Sequence, residues 1–125
     1  MARKADGLTR LELEVMQVIW KRGASNVGEV QDGLGRELAY TTVQTVLNTL
    51  HRKGKLRRKL DGRAYVYSAT VTEAKALRYA VRDLVDRMFG GSSEELVLSL
   101  IKSREIDPER IARLSRQLEQ DEEEE

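Results

Sequence analysis

The side chains in the stretch AYTTVQTVLNTLHRKG, Ala39 to Gly54, offer hydrogen-bonding chemistry and little else. Val43, Val46, Leu47 and Leu50 recur at i, i+3, i+4 and i+7, the spacing of one helix face. The opposite face therefore carries Thr41, Thr45, Asn48, Thr49 and Arg52, with Thr42 and Gln44 at its flanks. Thr and Asn are weak helix formers, and a face chosen for solubility would carry Glu and Lys. Catalytic chemistry finds little footing. The single histidine, His51, sits beside Arg52 and Lys53 with no carboxylate at helical spacing to orient it. No Gly-rich phosphate loop precedes a helix, and with no cysteine there is no disulfide framework and no Cys/His set for zinc or copper. Neither an enzyme nor a metal or other cofactor is expected.

The polar helix face is followed at once by His51 to Arg63, which holds seven Lys and Arg against the single acid Asp61. Cations on a hairpin reach phosphates beside a helix seated in the major groove, contacts that give affinity without sequence information. Asn and Gln can pair with adenine edges, and a Thr methyl packs on a thymine methyl. Gln44, Thr45 and Asn48 thus suit a site containing A·T pairs. A solvated Thr-rich helix and a solvated charged hairpin are the plainer readings of each segment alone; their adjacency weakens both.

The elements that must position these groups are legible as periods and breaks. A first helix covers Leu8 to Arg22, with an apolar stripe of Leu8, Leu11, Val15, Val18 and Ile19, Thr9 as N-cap, Glu12 completing a capping box and Gly23 past its end. Leu13 and Trp20 lie nearly opposite, so Trp20 is expected as a core aromatic under a neighbouring segment. Ser25 or Asn26 caps a short second helix through Val27, Val30 and Leu34, which Gly33 weakens and Gly35 ends. The third helix closes at Gly54. Two strands follow, Leu56 to Leu60 and Arg63 to Ala69, joined by Asp61-Gly62 in a type I′ turn. Three helices and then a basic hairpin is the order of a winged helix-turn-helix. From Thr72 the chain is helical again until FGGSS, then through EELVLSLIK, capped by Ser92 or Ser93, and again from DPER, where Asp107 caps and Pro108 takes the first position. The tail DEEEE is expected to be frayed and solvated.

The fold class expected is mainly α with a small β-hairpin: a winged-helix DNA-binding domain over residues 1–70 and a helical dimerisation domain with an acidic tail over 71–125. The net charge of +1 divides unevenly, with 13 Lys and Arg against 7 Asp and Glu in residues 1–69 and 9 against 14 in residues 70–125. One half is thus suited to a polyanion and the other is not. The C-terminal stripes, Leu77, Val81, Leu84 and Met88, then Leu96, Val97, Leu100 and Ile101, then Ile111, Leu114 and Leu118, have no sheet to cover them and are expected to pack on a second copy. No apolar run spans a bilayer and none follows the basic start MARKADGLTR, so no membrane insertion and a cytoplasmic location are expected.

With LELEVMQVIW in the first helix, AYTTVQTVLNTLHRKG in the third, the hairpin ending RAYVYSA and GGSSEELVLSLI near the C-terminus, the chain resembles the BlaI/MecI/CopY family of bacterial repressors from about Leu8 to Leu118. The resemblance implies a homodimeric winged-helix repressor on palindromic operators of double-stranded DNA, regulating β-lactam resistance or copper handling and in some members relieved by a membrane sensor protease. It places base and backbone contacts on Thr41, Thr42, Gln44, Thr45 and Asn48, and phosphate contacts on Arg52, Lys53, Arg57, Arg58 and Arg63. Thr49 stands where family members often have Arg, and the C-terminal cysteine cluster of the copper-responsive branch is missing, which favours the β-lactam type. In the penicillinase branch proteolysis falls at a bond that aligns with Ser99 and Leu100. The opposing expectation, that this segment is interface closed to proteases and that an effector or dilution ends repression, stays open. A winged helix used only for protein contact, without specific DNA binding, is the alternative function.

Overall fold

The computed structural model describes residues 7–124. Their order is α1 (Arg10–Arg22), α2 (Val27–Gly33), α3 (Tyr40–Arg52), β1 (Leu56–Asp61), β2 (Ala64–Ala69), α4 (Glu73–Met88), α5 (Ser93–Lys102) and α6 (Pro108–Glu124). The chain divides into two compact units, one ending at Ala80 and the other beginning at Val81, so the division falls inside α4.

In the first unit α1 starts at a full capping box, in which the Thr9 hydroxyl accepts from the Glu12 amide and the Glu12 carboxylate accepts from the Thr9 amide. Asn26, and not Ser25, caps α2 in the same reciprocal way with Glu29. The backbone of Ser25 instead exchanges two hydrogen bonds with Tyr67, adding a one-residue bridge to the hairpin. Val15, Met16 and Ile19 of α1, Val30 of α2, Val43, Leu47 and Leu50 of α3, and Leu56 and Tyr67 of the hairpin form one core. Trp20 packs against that core and donates its indole N–H to the Val71 carbonyl, 3.0 Å away, as a core aromatic under a following segment should.

Gly33 does more than weaken α2. A Cβ at this position would lie 2.6 Å from Cγ1 of Val18, so its absence lets α2 approach α1. Gly54 closes α3 at φ +79, with Lys55 N–H on the Leu50 carbonyl and Gly54 N–H on the His51 carbonyl, the Schellman pattern.

The hairpin departs from expectation by one residue. Asp61 pairs with Ala64, so the two-residue turn is Gly62-Arg63 and not Asp61-Gly62. Gly62 takes φ +65 while Arg63 is not in the left-handed region, which excludes type I′ and fits the Gly-first II′ arrangement. The register puts Leu56, Arg58 and Leu60 on one face with Tyr65, Tyr67 and Ala69, and Arg57 and Lys59 on the other.

In the second unit α4 ends at Gly90 and Gly91, both at positive φ, Ser92 caps α5, and Asp107 accepts from the Arg110 amide at the start of α6. Arg104 ends α5 at φ +63, where glycine is usual. The acidic tail is not frayed through residue 124, because α6 continues to Glu124. Val85 is buried, whereas α5 and α6 bury no residue fully. Among the described residues, no helix is long and apolar enough to cross a membrane.

Candidate nucleic-acid interface

Helix α3 turns Val43, Leu47 and Leu50 into the core, which sends the Thr, Gln and Asn side chains the other way. Thr41, Thr42, Gln44 and Thr45 are exposed, and Asn48 and Thr49 are half-buried. The Thr45 hydroxyl donates to the Thr41 carbonyl one turn back, leaving its methyl and an oxygen lone pair for an outside partner. Arg52 is exposed and donates to the Thr49 hydroxyl at 2.9 Å. The threonine that stands in place of an expected arginine therefore supports the next cation along the same face.

The hairpin cations occupy three situations. Arg57 and Lys59 stand exposed on its outer face, and Arg63 is exposed in the turn itself. Arg58 instead points to the α3 side: its Nη1 donates to Oδ1 of Asn48 at 3.1 Å, and its guanidinium carbon lies 4.2 Å from the centre of the Tyr65 ring. Oδ1 of Asn48 also accepts the hydroxyl of Tyr67 at 2.9 Å.

Lys53 has an internal partner. Its ammonium donates to Oε1 of Glu12 at 2.8 Å and lies 3.3 Å from the Gly7 carbonyl. Burial alone would push the Glu12 carboxyl up, but the Lys53 ammonium and the Thr9 amide outweigh it, and the net shift is below the ordinary carboxylate value. Lys53 thereby anchors the C-terminal end of α3 to the start of α1.

Thr41, Thr42, Gln44, Thr45, Arg52 and the hairpin arginines are thus gathered on one unit. Tyr65, Tyr67 and Glu12 are the participants that sequence reasoning misses. Alternation in RAYVYSA puts the two tyrosines on one face, but nothing in the sequence reveals that a buried tyrosine hydroxyl reaches the third helix. Among the described residues no group of three His, Cys, Asp or Glu could hold a metal ion.

The fold and the sequence have counterparts among known proteins. The DNA-binding domain of the repressor BlaI, known from a solution structure, superposes with TM-score 0.51 at 36% identity, covering 58% of this chain and 92% of that one. The transcriptional regulator Tm0710 of Thermotoga maritima shares the fold over 91% of this chain and 73% of its own, with TM-score 0.52 at 22% identity. Over 120 residues the chain is 30% identical to the penicillinase repressor of Bacillus licheniformis, covering 94% of each. It is 25% identical to the methicillin resistance regulatory protein MecI of Mammaliicoccus sciuri, covering 91% of this chain and 94% of that protein. The family model described as Penicillinase repressor matches residues 8–120. A winged-helix unit in a chain matched over residues 8–120 makes this protein a DNA-binding transcriptional repressor that belongs to the penicillinase repressor family.

Proposed function

We propose that the protein acts in the cytoplasm as a homodimer on a palindromic operator and represses genes of the β-lactam-resistance type. The observation that carries the reading is the exposed Thr41, Thr42, Gln44 and Thr45 face of α3 beside the exposed Arg52, Arg57 and Arg63. The threonines and Gln44 read base edges, and the arginines hold phosphates. The functional division between DNA binding and dimerisation lies near residue 70. Names of relatives support the regulated process, since they are a penicillinase repressor and a methicillin resistance regulatory protein.

Dimerisation is supported by the second unit's surface. Leu84, Met88, Val97, Leu100, Leu114 and Leu118 are exposed, with Met88 at 71% and Leu118 at 63%. A single copy leaves too much apolar surface in water for helices of this amphipathic pattern. Two winged helices linked in this way can occupy half-sites about one DNA turn, roughly 34 Å, apart. Relief of repression by a membrane sensor protease is the corresponding reading for α5, which carries Ser99 and Leu100 exposed.

The test is selection of bound sequences from random DNA, followed by anisotropy titrations across salt. With about three to five phosphates neutralised per subunit, affinity falls with a log-log slope of roughly −6 to −9, and Thr45→Ala costs about 1 to 3 kcal/mol of discrimination while Arg57→Ala weakens all duplexes alike. A slope near zero, or equal loss on operator and random DNA for both variants, overturns the assignment of faces.

A further inference from the structure

We propose that Asn48 is a positioning residue, which with Tyr67 and Tyr65 holds Arg58 ready for a DNA phosphate where the recognition helix meets the hairpin, and that it does not read a base. The proposal rests on the DNA-binding reading of this face and assigns Asn48 a part within it. A carboxamide recognises adenine bidentately, its oxygen accepting from N6 while its amino group donates to N7. In this chain the oxygen is already committed, to Nη1 of Arg58 at 3.1 Å and to the Tyr67 hydroxyl at 2.9 Å. A guanidinium only donates, so the atom facing it must be Oδ1, and the hydroxyl must be the donor in the second bond. Both lone pairs are thereby filled.

Turning the amide towards a base would strand the Tyr67 hydroxyl, which belongs to a residue only 2% exposed and fixed in the core. The tyrosine is itself immobilised, because its backbone exchanges two hydrogen bonds with Ser25 and its strand partner across the hairpin is Arg58. The Tyr65 ring supplies the other wall, 4.2 Å from the guanidinium carbon. Arg58 is therefore held by an acceptor and an aromatic face, with Nε and Nη2 still able to donate, whereas Arg57 and Arg63 are exposed. An arginine fixed before DNA arrives loses less rotamer freedom on binding, so its phosphate contact is worth more than that of a free one.

The experiment is a double-mutant cycle on the full-length protein, titrating Asn48→Ala, Arg58→Ala and the double variant against the selected operator and a random duplex. We expect Asn48→Ala to weaken both duplexes by the same factor, about five- to tenfold, to keep the salt slope, and to cause no further loss once Arg58 is alanine. Tyr67→Phe, which keeps the ring in the core, should lower affinity for both duplexes alike, again only while Arg58 is present; it reads the same coupling if Asn48→Ala does not fold. Loss confined to the operator, a changed base preference at one position, or additive effects of Asn48 and Arg58 would overturn the proposal. Arg57→Ala is the control that separates the two levels. If it and the wild type show no salt-dependent binding, the DNA-binding reading of the face fails; if they do and the cycle is additive, only the role of Asn48 fails.

Discussion

The Lys53 ammonium lies 2.8 Å from Oε1 of Glu12, joining the residue that caps the end of α3 to the capping box that begins α1. Glu12 is 5% exposed, so this pair ties α3 to α1 where water screens little. Because the folded state holds the Glu12 carboxyl below its ordinary value of 4.5, it is the unfolded chain that takes up the proton first on acidification. The pair's stabilisation is therefore in full force above the unfolded value and is lost as pH falls through the lower folded one. Thermal melts from pH 7 down to pH 3 should show wild type losing stability over that window and Glu12→Gln losing less. At pH 7 the variant should be less stable by about 1 to 3 kcal/mol, since it leaves the lysine without its carboxylate partner. A pH profile unchanged by Glu12→Gln would assign the acid sensitivity to other carboxylates.

Gly33→Ala sets two magnitudes against each other. Alanine improves helix propensity by about 1 kcal/mol in a helix interior and by less at Gly33, the last residue of α2. The new Cβ would stand 2.6 Å from Cγ1 of Val18, and forcing α2 away from α1 costs about 1 to 3 kcal/mol. Packing should win, giving a protein destabilised by up to about 2 kcal/mol in denaturant titrations. A variant more stable than wild type would mean that Val18 yields at no cost.

What the sequence discloses and what it withholds follow from the range of the interactions involved. Caps and periods are local, so Thr9, Glu12, Gly23, Gly54 and the buried stripe of α3 are all readable, as is the winged-helix order. The turn misleads because Asp-Gly is the strongest two-residue signal, while the pairing of Asp61 with Ala64 is decided along the whole ladder. Moving the turn by one residue leaves every side chain on its expected face but moves the partner of Arg58 from Tyr65 to Tyr67. The hydroxyl that locks Asn48 thus comes into view only with the register. The Glu12 to Lys53 pair spans 41 residues and is invisible to any local rule. The resemblance places Lys53 among the phosphate cations, and the structure adds an internal partner that the sequence does not show.

The dimer proposal is tested by division of the chain. Truncation after Ala69 would remove Val71, whose carbonyl accepts the Trp20 indole, so the better fragment ends at Ala80, where the first unit ends. Sedimentation should find this fragment monomeric and the full chain dimeric. Binding of the fragment to a complete operator should be weaker by about 100-fold or more, since linkage of two sites is lost. A single charge, Met88→Glu, at a residue 71% exposed in one copy should also dissociate the full chain without unfolding it. A fragment that still dimerises would place the interface in the first unit, either in the winged helix or on the Leu77 turn of α4 that the fragment keeps.

Ser99 and Leu100 sit in the second half of α5, a helix with no fully buried residue. Cleavage between them would divide Leu96 and Val97 from Leu100 and Ile101, and would detach α6 with its Ile111, Leu114 and Leu118 stripe. Those side chains can hold a partner only as a continuous surface, so one cut should convert a linked pair of DNA-binding units into two independent ones and drop operator affinity by the loss of avidity. Cells producing the protein together with its cognate sensor protease, exposed to a β-lactam and followed by mass spectrometry, should accumulate fragments ending at Ser99. The dimer itself competes with this outcome, because α5 packed against a second copy is harder for a protease to unwind, and cutting should therefore be faster in the Met88→Glu monomer. Derepression with intact chains would rule cleavage out and assign the signal to an effector that loosens the dimer.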